Sequence, residues 1–442
     1  MTTTPTPTKA LSASRPSRGA FSSGIAGWAR RPLRRLALQL LAGLREGAMT
    51  VELPDGERIE GRGAMAGAHV TVVLHRWRAL LRLALQGDLG FARSYRDGDW
   101  STKDLGALLL LVLRNEAQGT DAIEGSKAMR CFDRLRHLMR RNTRRGSREN
   151  IAFHYDLGND FYAQWLDPEL IYSSALYRSA GESLEAVQAN KMARIVDLLD
   201  VPPHASVLEI GCGWGALAVA LARDGRAHVT GLTLSSEQLA HARLSAAREG
   251  LQSQMDLRLQ DYRDVRGTYD RIVSVEMLEA VGERFWPGYF DTLRRRLKPG
   301  GIAVLQVITI DDAHFERYRA GADFIQRLIF PGGMLPSWRE LQAQALRAGL
   351  EIGRAESFGD SYAATLVHWR ERFASAWPAI EAMGFDESFR RLWMYYLSYC
   401  EAGFRAGRVD VGLYGLRHMA AAGQHAVLTK DGGREPSEHE PE

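Results

Sequence analysis

The sequence has few cysteines and no long apolar run. Its 442 residues contain three cysteines, Cys131, Cys212 and Cys400, which are odd in number and far apart. They form neither a disulfide framework nor a paired metal-binding motif, so we expect a cytoplasmic protein without a bound metal. The apolar stretches 36–44 and 105–113 are much shorter than the roughly 20 residues of a membrane-spanning helix. We therefore expect neither a transmembrane segment nor export.

A large excess of charge of one sign is also missing. Lys and Arg number 57 against 53 Asp and Glu, and 45% of residues are hydrophobic, as in an ordinary folded protein. The charges are nevertheless segregated, because residues 127–148 hold nine Lys and Arg and one acid. This segment is either a helix that binds anionic headgroups or a solvated linker. No aromatic reader motif accompanies its arginines, so we expect no nucleic-acid partner.

Composition and periodicity divide the chain into five segments. The prediction is a basic, mostly disordered tail over 1–47, a small α+β domain over 48–120, a basic linker over 121–150, an α/β domain over 151–420 and a flexible acidic tail over 421–442.

Apolar strands alternate with helical patterns from residue 151 onward. The strand-like runs are 206–211, 228–234, 255–260, 271–277 and 302–310, and the segment 362–406 is helical and rich in aromatic residues. This alternation predicts a parallel, doubly wound sheet. Such sheets bind ligands at the carboxyl ends of their strands.

The most specific motif is VLEIGCGWGALA (207–218), in which Glu209 precedes Gly211, Gly213 and Gly215. Alternating glycines allow a tight turn from strand to helix and close approach of a ligand. The motif resembles the S-adenosylmethionine loop of class I methyltransferases. A generic glycine turn stays open, whereas a nicotinamide site is disfavoured because no acid follows the second strand.

Neutral groups stand where a dinucleotide enzyme has that acid. Thr233, Leu234 and Gln238 are candidate contacts to a cofactor ribose, and Asp261 and Tyr262 follow the third strand, at the expected place of the adenine. Each polar residue is equally compatible with a capping role at a strand end.

Several further motifs occur in colinear order. They are DLGFARSYRDGDW (88–100), HYDLGNDFYAQWLDPELIYSSALY (154–177), QDYRD (260–264), SVEMLEAVG (274–282), FIQRLIFPGGMLPS (324–337), SYAATLVHWRERF (361–373) and YYLSYCEAGFRAG (395–407). With the glycine loop, they resemble the cyclopropane-fatty-acyl-phospholipid synthase and mycolic acid cyclopropane synthase family.

The resemblance implies a class I methyltransferase fold with added helices after a small α+β domain. It implies that S-adenosylmethionine methylates the double bond of an unsaturated acyl chain in a membrane phospholipid, and that bicarbonate removes a proton to close a cyclopropane ring. It also implies an enzyme at the anionic inner face of the membrane, with a homodimer as a further possibility, because the amino-terminal domain of the bacterial enzymes assists membrane engagement and dimerisation.

The resemblance also assigns individual residues. Glu279 matches the glutamate that holds bicarbonate, Tyr362 the tyrosine that hydrogen-bonds it, and Ile308 a backbone donor to it. Tyr155 lies in the segment that closes over the cofactor. Ser174 stands in place of a cysteine that contacts bicarbonate.

Two further departures are Gln306 and Ala280, which stand where bacterial and mycobacterial members have histidines. Both forms resemble the plant-type branch, which also makes cyclopropanes. The departures keep two alternatives open, namely a methylene or methyl-branched product and a catalytically silent lipid-binding scaffold. Aromatic residues at helical spacing, such as Trp369, Phe373 and Trp377, line either an acyl tunnel or the core.

Overall fold

The computed structural model describes residues 27–116, 157–223, 227–321 and 323–419, with side chains from residue 30 onward. The predictions for the linker 121–150, for the acidic tail 421–442 and for Tyr155 lie outside these residues. Within them, no helix is long and apolar enough to cross a membrane.

The amino-terminal domain is built on a four-stranded sheet. Its strands are β1 (Glu46–Glu52), β2 (Arg58–Arg62), β3 (Met65–Leu74) and β4 (Trp100–Thr102), in the spatial order β2-β1-β3-β4. Three helices accompany the sheet: α1 (Gly27–Ala42), α2 (Arg78–Arg96) and α3 (Leu105–Asn115). At the end of β3, Val70, Val72 and Leu74 alternate with less buried residues and face the core. The predicted α+β domain is confirmed.

Helix α1 corrects the expectation of a mostly disordered tail over residues 1–47 only for residues 27–42, because residues 1–26 lie outside the described part of the chain. Leu33, Ala37 and Leu41 recur every four residues and are buried in the core shared with the sheet, whereas the arginines between them are exposed. An amphipathic helix of this kind is stabilised mainly by packing of its apolar face.

The larger sheet has seven strands. They are β5 (Ala205–Ile210), β6 (Ala227–Thr233), β7 (Met255–Leu259), β8 (Tyr269–Val275), β9 (Leu297–Ile310), β10 (Leu350–Ser357) and β11 (Val409–His418), in the order β10-β11-β9-β8-β5-β6-β7. Strands β5 to β9 are parallel, and β11 is antiparallel to both of its neighbours. The predicted doubly wound α/β fold is confirmed.

Helices cover both faces of this sheet and add a layer over its carboxyl edge. In chain order they are α4 (Asn159–Ala163), α5 (Leu184–Leu199), α6 (Ala216–Ala222), α7 (Ser236–Arg248), α8 (Leu278–Val281), α9 (Trp286–Arg296), α10 (Asp312–Ala320), α11 (Phe324–Leu328), α12 (Trp338–Arg347), α13 (Gly359–Ser375), α14 (Trp377–Ala382) and α15 (Glu387–Arg405), with 3₁₀ turns at Tyr262–Asp264 and Glu283–Phe285.

Helix α15 joins the two domains, because it packs against α13, α2 and α3. The ring of Tyr95 in α2 lies 5.7 Å from that of Tyr395, and the Arg391 guanidinium lies 5.6 Å from the Tyr95 ring. One hydrophobic cluster extends through both domains. The amino-terminal domain is therefore fixed against the helical layer above the larger sheet.

Candidate active site

The predicted site residues within the described part of the chain converge on the carboxyl edge of the larger sheet. Glu209 lies near the end of β5, Thr233 ends β6, and Asp261 follows β7. Gln306 and Ile308 lie among the last residues of strand β9. Helix α13 lies above this edge and carries Tyr362. Parallel strands place their carboxyl ends side by side, which is why Glu209 and Ile308, although remote in sequence, lie at the same edge.

The glycine loop adopts a conformation that side chains disfavour. Gly211, Gly213 and Gly215 have φ of 85°, 52° and 94°. A Cβ atom at Gly215 would lie 2.8 Å from Cβ of Ala242, whereas one at Gly213 would meet no atom of the described residues within 4 Å. Gly215 thus permits close packing of α6 against α7, and Gly213 leaves the loop open to a ligand.

Glu209 offers an unused acceptor beside this loop. Its Oε2 atom is buried and has no hydrogen-bond partner among the described residues. Burial raises the pKa of Glu209 to about 8, although the buried ammonium of Lys191 lowers it. A cationic ligand group would satisfy this carboxyl, and the methionine end of S-adenosylmethionine carries such groups.

The predicted ribose contacts form one network after β6. The Thr233 hydroxyl donates to Oε1 of Gln238 at 2.9 Å, and Ser235 caps helix α7 through the Gln238 N–H. Thr233 and Gln238 are buried, and Leu234 is half-buried. The structure thus brings these residues together, and their contact with a ribose stays a prediction.

Asp261 and Tyr262 are held by their own turn. Asp261 accepts from the backbone N–H of Arg263 at 3.0 Å and forms an ion pair with its guanidinium at 2.5 Å. The Tyr262 ring packs edge-on against Tyr289 at 5.4 Å. Both residues have a structural role here, and their proposed approach to an adenine stays a prediction.

Glu279 lies on the short helix α8 directly after β8. Its Oε1 accepts from the backbone N–H of Ile308 at 2.5 Å, whereas its buried Oε2 has no hydrogen-bond partner within the part of the chain that the structure describes. Burial, followed by the charge of Glu276, raises the pKa of Glu279 to about 8. Glu279 is therefore mainly a neutral acid at pH 7.

The residue at the centre of the site is Glu276, which the sequence analysis did not identify. Its Oε1 accepts from the backbone N–H of Ser174 and from Nε2 of Gln306, both at 2.8 Å. Its Oε2 accepts from the hydroxyl of Tyr362 at 2.8 Å. The motif SVEMLEAVG contained one signal for this residue. Its first acid, Glu276, directly follows a buried strand of the doubly wound sheet.

These contacts revise the expected roles of three residues. Ser174 contributes its backbone N–H, because its hydroxyl donates to the carbonyl of Ala175 at 3.0 Å. Gln306 and Tyr362 face Glu276 rather than Glu279. The residues expected to surround bicarbonate are thus assembled, but three of their donors bind a side-chain carboxylate, so the site does not fit bicarbonate in the expected way.

A large cavity extends from these carboxyl groups toward the amino-terminal domain. Its volume is about 1110 Å³, slightly above the usual range of roughly 300–1,000 Å³ for small-molecule sites. Glu276, Glu279, Ala280, Ile308 and Tyr362 line one end, and apolar side chains from α1, α2, α3 and β3 line much of the remaining wall.

The aromatic residues divide between the two expected roles. Trp369, Phe373 and Trp377 are core residues and do not line the cavity. The cavity is lined instead by tyrosines and phenylalanines, namely Tyr172, Phe330, Tyr395, Tyr396, Tyr399 and Phe404. Among the described residues, no group of His, Cys, Asp and Glu side chains is arranged to hold a metal ion.

Comparison with known proteins gives a consistent result. The family described as mycolic acid cyclopropane synthetase matches residues 142–413. Tuberculostearic acid methyltransferase UfaA1 of Mycobacterium tuberculosis is 38% identical over 414 residues, which are 89% of this chain and 92% of that protein. The cyclopropane-fatty-acyl-phospholipid synthase of Escherichia coli K12 is 37% identical over 335 residues, 75% of this chain and 83% of that protein.

Solved structures agree with these matches. Mycolic acid cyclopropane synthase CmaA1, solved with SAH and CTAB, superimposes with a TM-score of 0.57 at 29% identity, covering 61% of this chain and 97% of that one. Coclaurine N-methyltransferase shares the fold at 17% identity, with a TM-score of 0.56.

Proposed function

The chain belongs to the mycolic acid cyclopropane synthetase family, and from this we propose that it cyclopropanates the cis double bond of an unsaturated acyl chain in a membrane phospholipid. It is an S-adenosylmethionine-dependent methyltransferase that acts on lipid acyl chains. What we propose beyond this is that the substrate is a phospholipid, that the methyl group is transferred to a double bond, and that the product contains a cyclopropane ring.

The observation that supports the proposal most directly is the position of one end of the cavity, beside the glycine loop. One end lies at Glu276, on the sheet edge that also bears the glycine loop, and Met277 lies against Gly211. A long apolar cavity that reaches a cofactor loop can present the middle of an acyl chain to a methyl donor. A polar or nucleic-acid substrate would leave its polar groups without partners along this wall.

The residues of the glycine loop and Glu209 fit S-adenosylmethionine. When bound, this cofactor supplies an electrophilic methyl group. An alkene is a weak nucleophile, so the protein's main contributions are to hold the chain in line and to exclude water. The buried aromatic wall excludes water, and the rings of Tyr172 and Tyr362 line the end of the cavity where positive charge develops on the chain.

A methylene or methyl-branched product remains the second candidate. The name of the M. tuberculosis relative, a tuberculostearic acid methyltransferase, supports it. After methylation, a hydride shift from the methylated carbon followed by loss of a methyl proton would give an exocyclic methylene. Both products add one CH₂ to the lipid, so mass alone does not separate them.

The proposal places the enzyme on the inner face of the membrane. Leu38 in α1 and Leu81 and Leu85 in α2 are exposed, and α1 also carries exposed arginines. Apolar side chains beside basic ones favour an anionic lipid surface. Both helices also line the cavity, so this surface would admit an acyl chain from the bilayer. A homodimer stays a prediction.

The test is release of S-adenosylhomocysteine with dioleoyl phosphatidylglycerol and phosphatidylethanolamine vesicles, followed by hydrogenation of the product lipids. We expect release to require the double bond, with distearoyl vesicles as the inactive control. Under mild catalytic hydrogenation a cyclopropane ring survives, whereas an exocyclic methylene is reduced to a methyl branch. No release with any olefinic lipid would favour the scaffold alternative and contradict the proposal.

A further inference from the structure

Glu276 holds an unusual backbone conformation at the centre of the site. Its φ is 47°, in the left-handed region that glycine adopts freely and a glutamate does not. Strain of this kind persists only where the surrounding structure imposes it, and it concentrates at functional sites. Here the conformation directs the side chain toward Ser174, Gln306 and Tyr362.

The three donors around Glu276 form an anion site. A backbone N–H, an amide N–H and a phenol O–H converge on the two carboxylate oxygens at 2.8 Å each. They are contributed by the loop before α5, by β9 and by α13, which are remote in sequence. The resemblance assigned two of these positions, Ser174 and Tyr362, to contacts with a bicarbonate ion.

We propose that the Glu276 carboxylate takes the place of bicarbonate and is itself the base that removes the proton after methyl transfer. This inference rests on the proposed function. In the step, the alkene electron pair forms the bond to the methyl carbon, and the bond between sulfur and that carbon breaks with its pair on sulfur. A C–H bond of the new methyl group then supplies the pair that closes the ring, and its proton moves to Glu276.

Oε2 is the oxygen suited to receive the proton. It accepts one hydrogen bond, from Tyr362, whereas Oε1 accepts two. Glu276 and Tyr362 both line the cavity in which the chain would lie.

The neighbouring groups favour one negative charge at this place. Burial raises the pKa of Glu276, but the Ser174 N–H, the Tyr362 hydroxyl, Lys191 and Gln306 lower it. The pKa of Glu279 is raised to about 8 by burial and by Glu276. Among the described residues, Glu276 has three donors and Glu279 has one, so Glu276 carries the charge and Glu279 keeps its proton. A bound bicarbonate would add a second anion beside Glu276.

The experiment measures turnover on dioleoyl phosphatidylglycerol vesicles in CO₂-free buffer, with and without added sodium bicarbonate, at constant ionic strength set by sodium chloride. We expect the wild-type rate to change less than twofold on addition of bicarbonate. Loss of turnover in CO₂-free buffer that bicarbonate restores would overturn the inference and leave the proposed function intact. Absence of turnover in both buffers would remove the proposed function and the inference with it.

Two variants sharpen the test. Glu276→Gln fills the same space without a base, and we expect a fall of about 100-fold or more that bicarbonate does not reverse. Glu276→Gly suits the left-handed backbone and opens the anion site, so we expect a similar fall that bicarbonate or sodium formate reverses at least tenfold. Binding of S-adenosylmethionine, measured by calorimetry, checks that both variants fold. Full turnover by Glu276→Gln would show that Glu276 is not the base.

Discussion

At the scale of single residues, two carboxyl groups share one property. Glu209 and Glu279 each keep one buried oxygen to which no described residue donates a hydrogen bond, and burial raises the pKa of each to about 8. A buried carboxyl without partners costs less free energy as the neutral acid than as the anion. Each group is therefore protonated at pH 7 until something nearby stabilises its charge.

For Glu209, that stabilising charge is the cofactor. We expect binding of S-adenosylmethionine at pH 7 to release close to one proton, because its cationic groups favour the ionised carboxylate. Calorimetric binding enthalpies in phosphate and in Tris will then differ in proportion to the ionisation enthalpies of the two buffers. Glu209→Gln is expected to bind about tenfold or more weakly and to show no such difference. Equal wild-type enthalpies in the two buffers would contradict the assignment.

For Glu279, the raised pKa makes stability depend on pH. The folded protein holds this proton up to about pH 8, whereas the unfolded chain loses it near the ordinary glutamate pKa of 4.5. The contribution is fully present below pH 4.5 and is lost as pH rises toward 8, by up to about 1.4 kcal/mol per pH unit. Glu279→Gln is expected to remove this loss, so its unfolding midpoint in urea will exceed that of wild type more at pH 8 than at pH 5.5. An equal difference in urea midpoint between the variant and wild type at both pH values would show that Glu279 is not protonated in the folded protein.

At the scale of elements, helix α3 of the amino-terminal domain lines the cavity that leads to the acidic residues of the larger domain. Asp104 caps it by accepting from the Ala107 N–H at 2.9 Å. One face is buried in the shared core, and Leu108, Val112 and Leu113 line the cavity. The helix thus forms part of the wall of the site.

A bulky side chain on this wall is expected to block the acyl chain. Val112→Trp should lower turnover on oleoyl vesicles by at least about tenfold, because overpacking of the cavity excludes substrate, while affinity for S-adenosylmethionine stays unchanged. Arg114→Trp is the matched control, since Arg114 is exposed and does not line the cavity. Equal turnover of the two variants would place the acyl chain elsewhere.

The sequence predicted elements better than contacts between them. The strands of the larger sheet and the glycine loop followed from apolar runs and spacing, because local pattern determines both. Glu276 was missed because its role depends on Ser174, Gln306 and Tyr362, which only the tertiary fold brings together. Helix α1 was mistaken for part of a disordered tail because its basic residues masked the four-residue spacing of Leu33, Ala37 and Leu41.

At the scale of the whole molecule, the exposed leucines of the amino-terminal domain mark the surface expected to face the bilayer. Leu81 and Leu85 lie one turn apart on α2, and Leu80 and Leu83 of the same helix line the cavity. A membrane bound here would lie close to the cavity wall. The acyl chain of a lipid would then pass from the bilayer to the site without crossing water.

Replacing both exposed leucines with glutamate should separate docking from chemistry. The double variant Leu81→Glu, Leu85→Glu is expected to reduce cosedimentation with phosphatidylglycerol vesicles by at least about tenfold, because apolar burial and attraction to anionic lipid are both lost. Turnover on detergent-dispersed oleoyl lipid should stay within about twofold of wild type. The matched control is Leu244→Glu, Leu346→Glu, which alters leucines exposed on α7 and α12. Equal vesicle binding by the two double variants would assign the membrane to another face.

The most direct measurement of the central claim follows the transferred carbon itself. S-adenosylmethionine with a trideuterated methyl group is supplied with dioleoyl phosphatidylglycerol vesicles, and the acyl chains are analysed by mass spectrometry after release from the lipid. The account predicts that the new carbon lies at the former double bond and retains two of its three deuterium atoms, because the base removes one as a deuteron after methyl transfer. Retention of all three, or label confined to the headgroup, would contradict it.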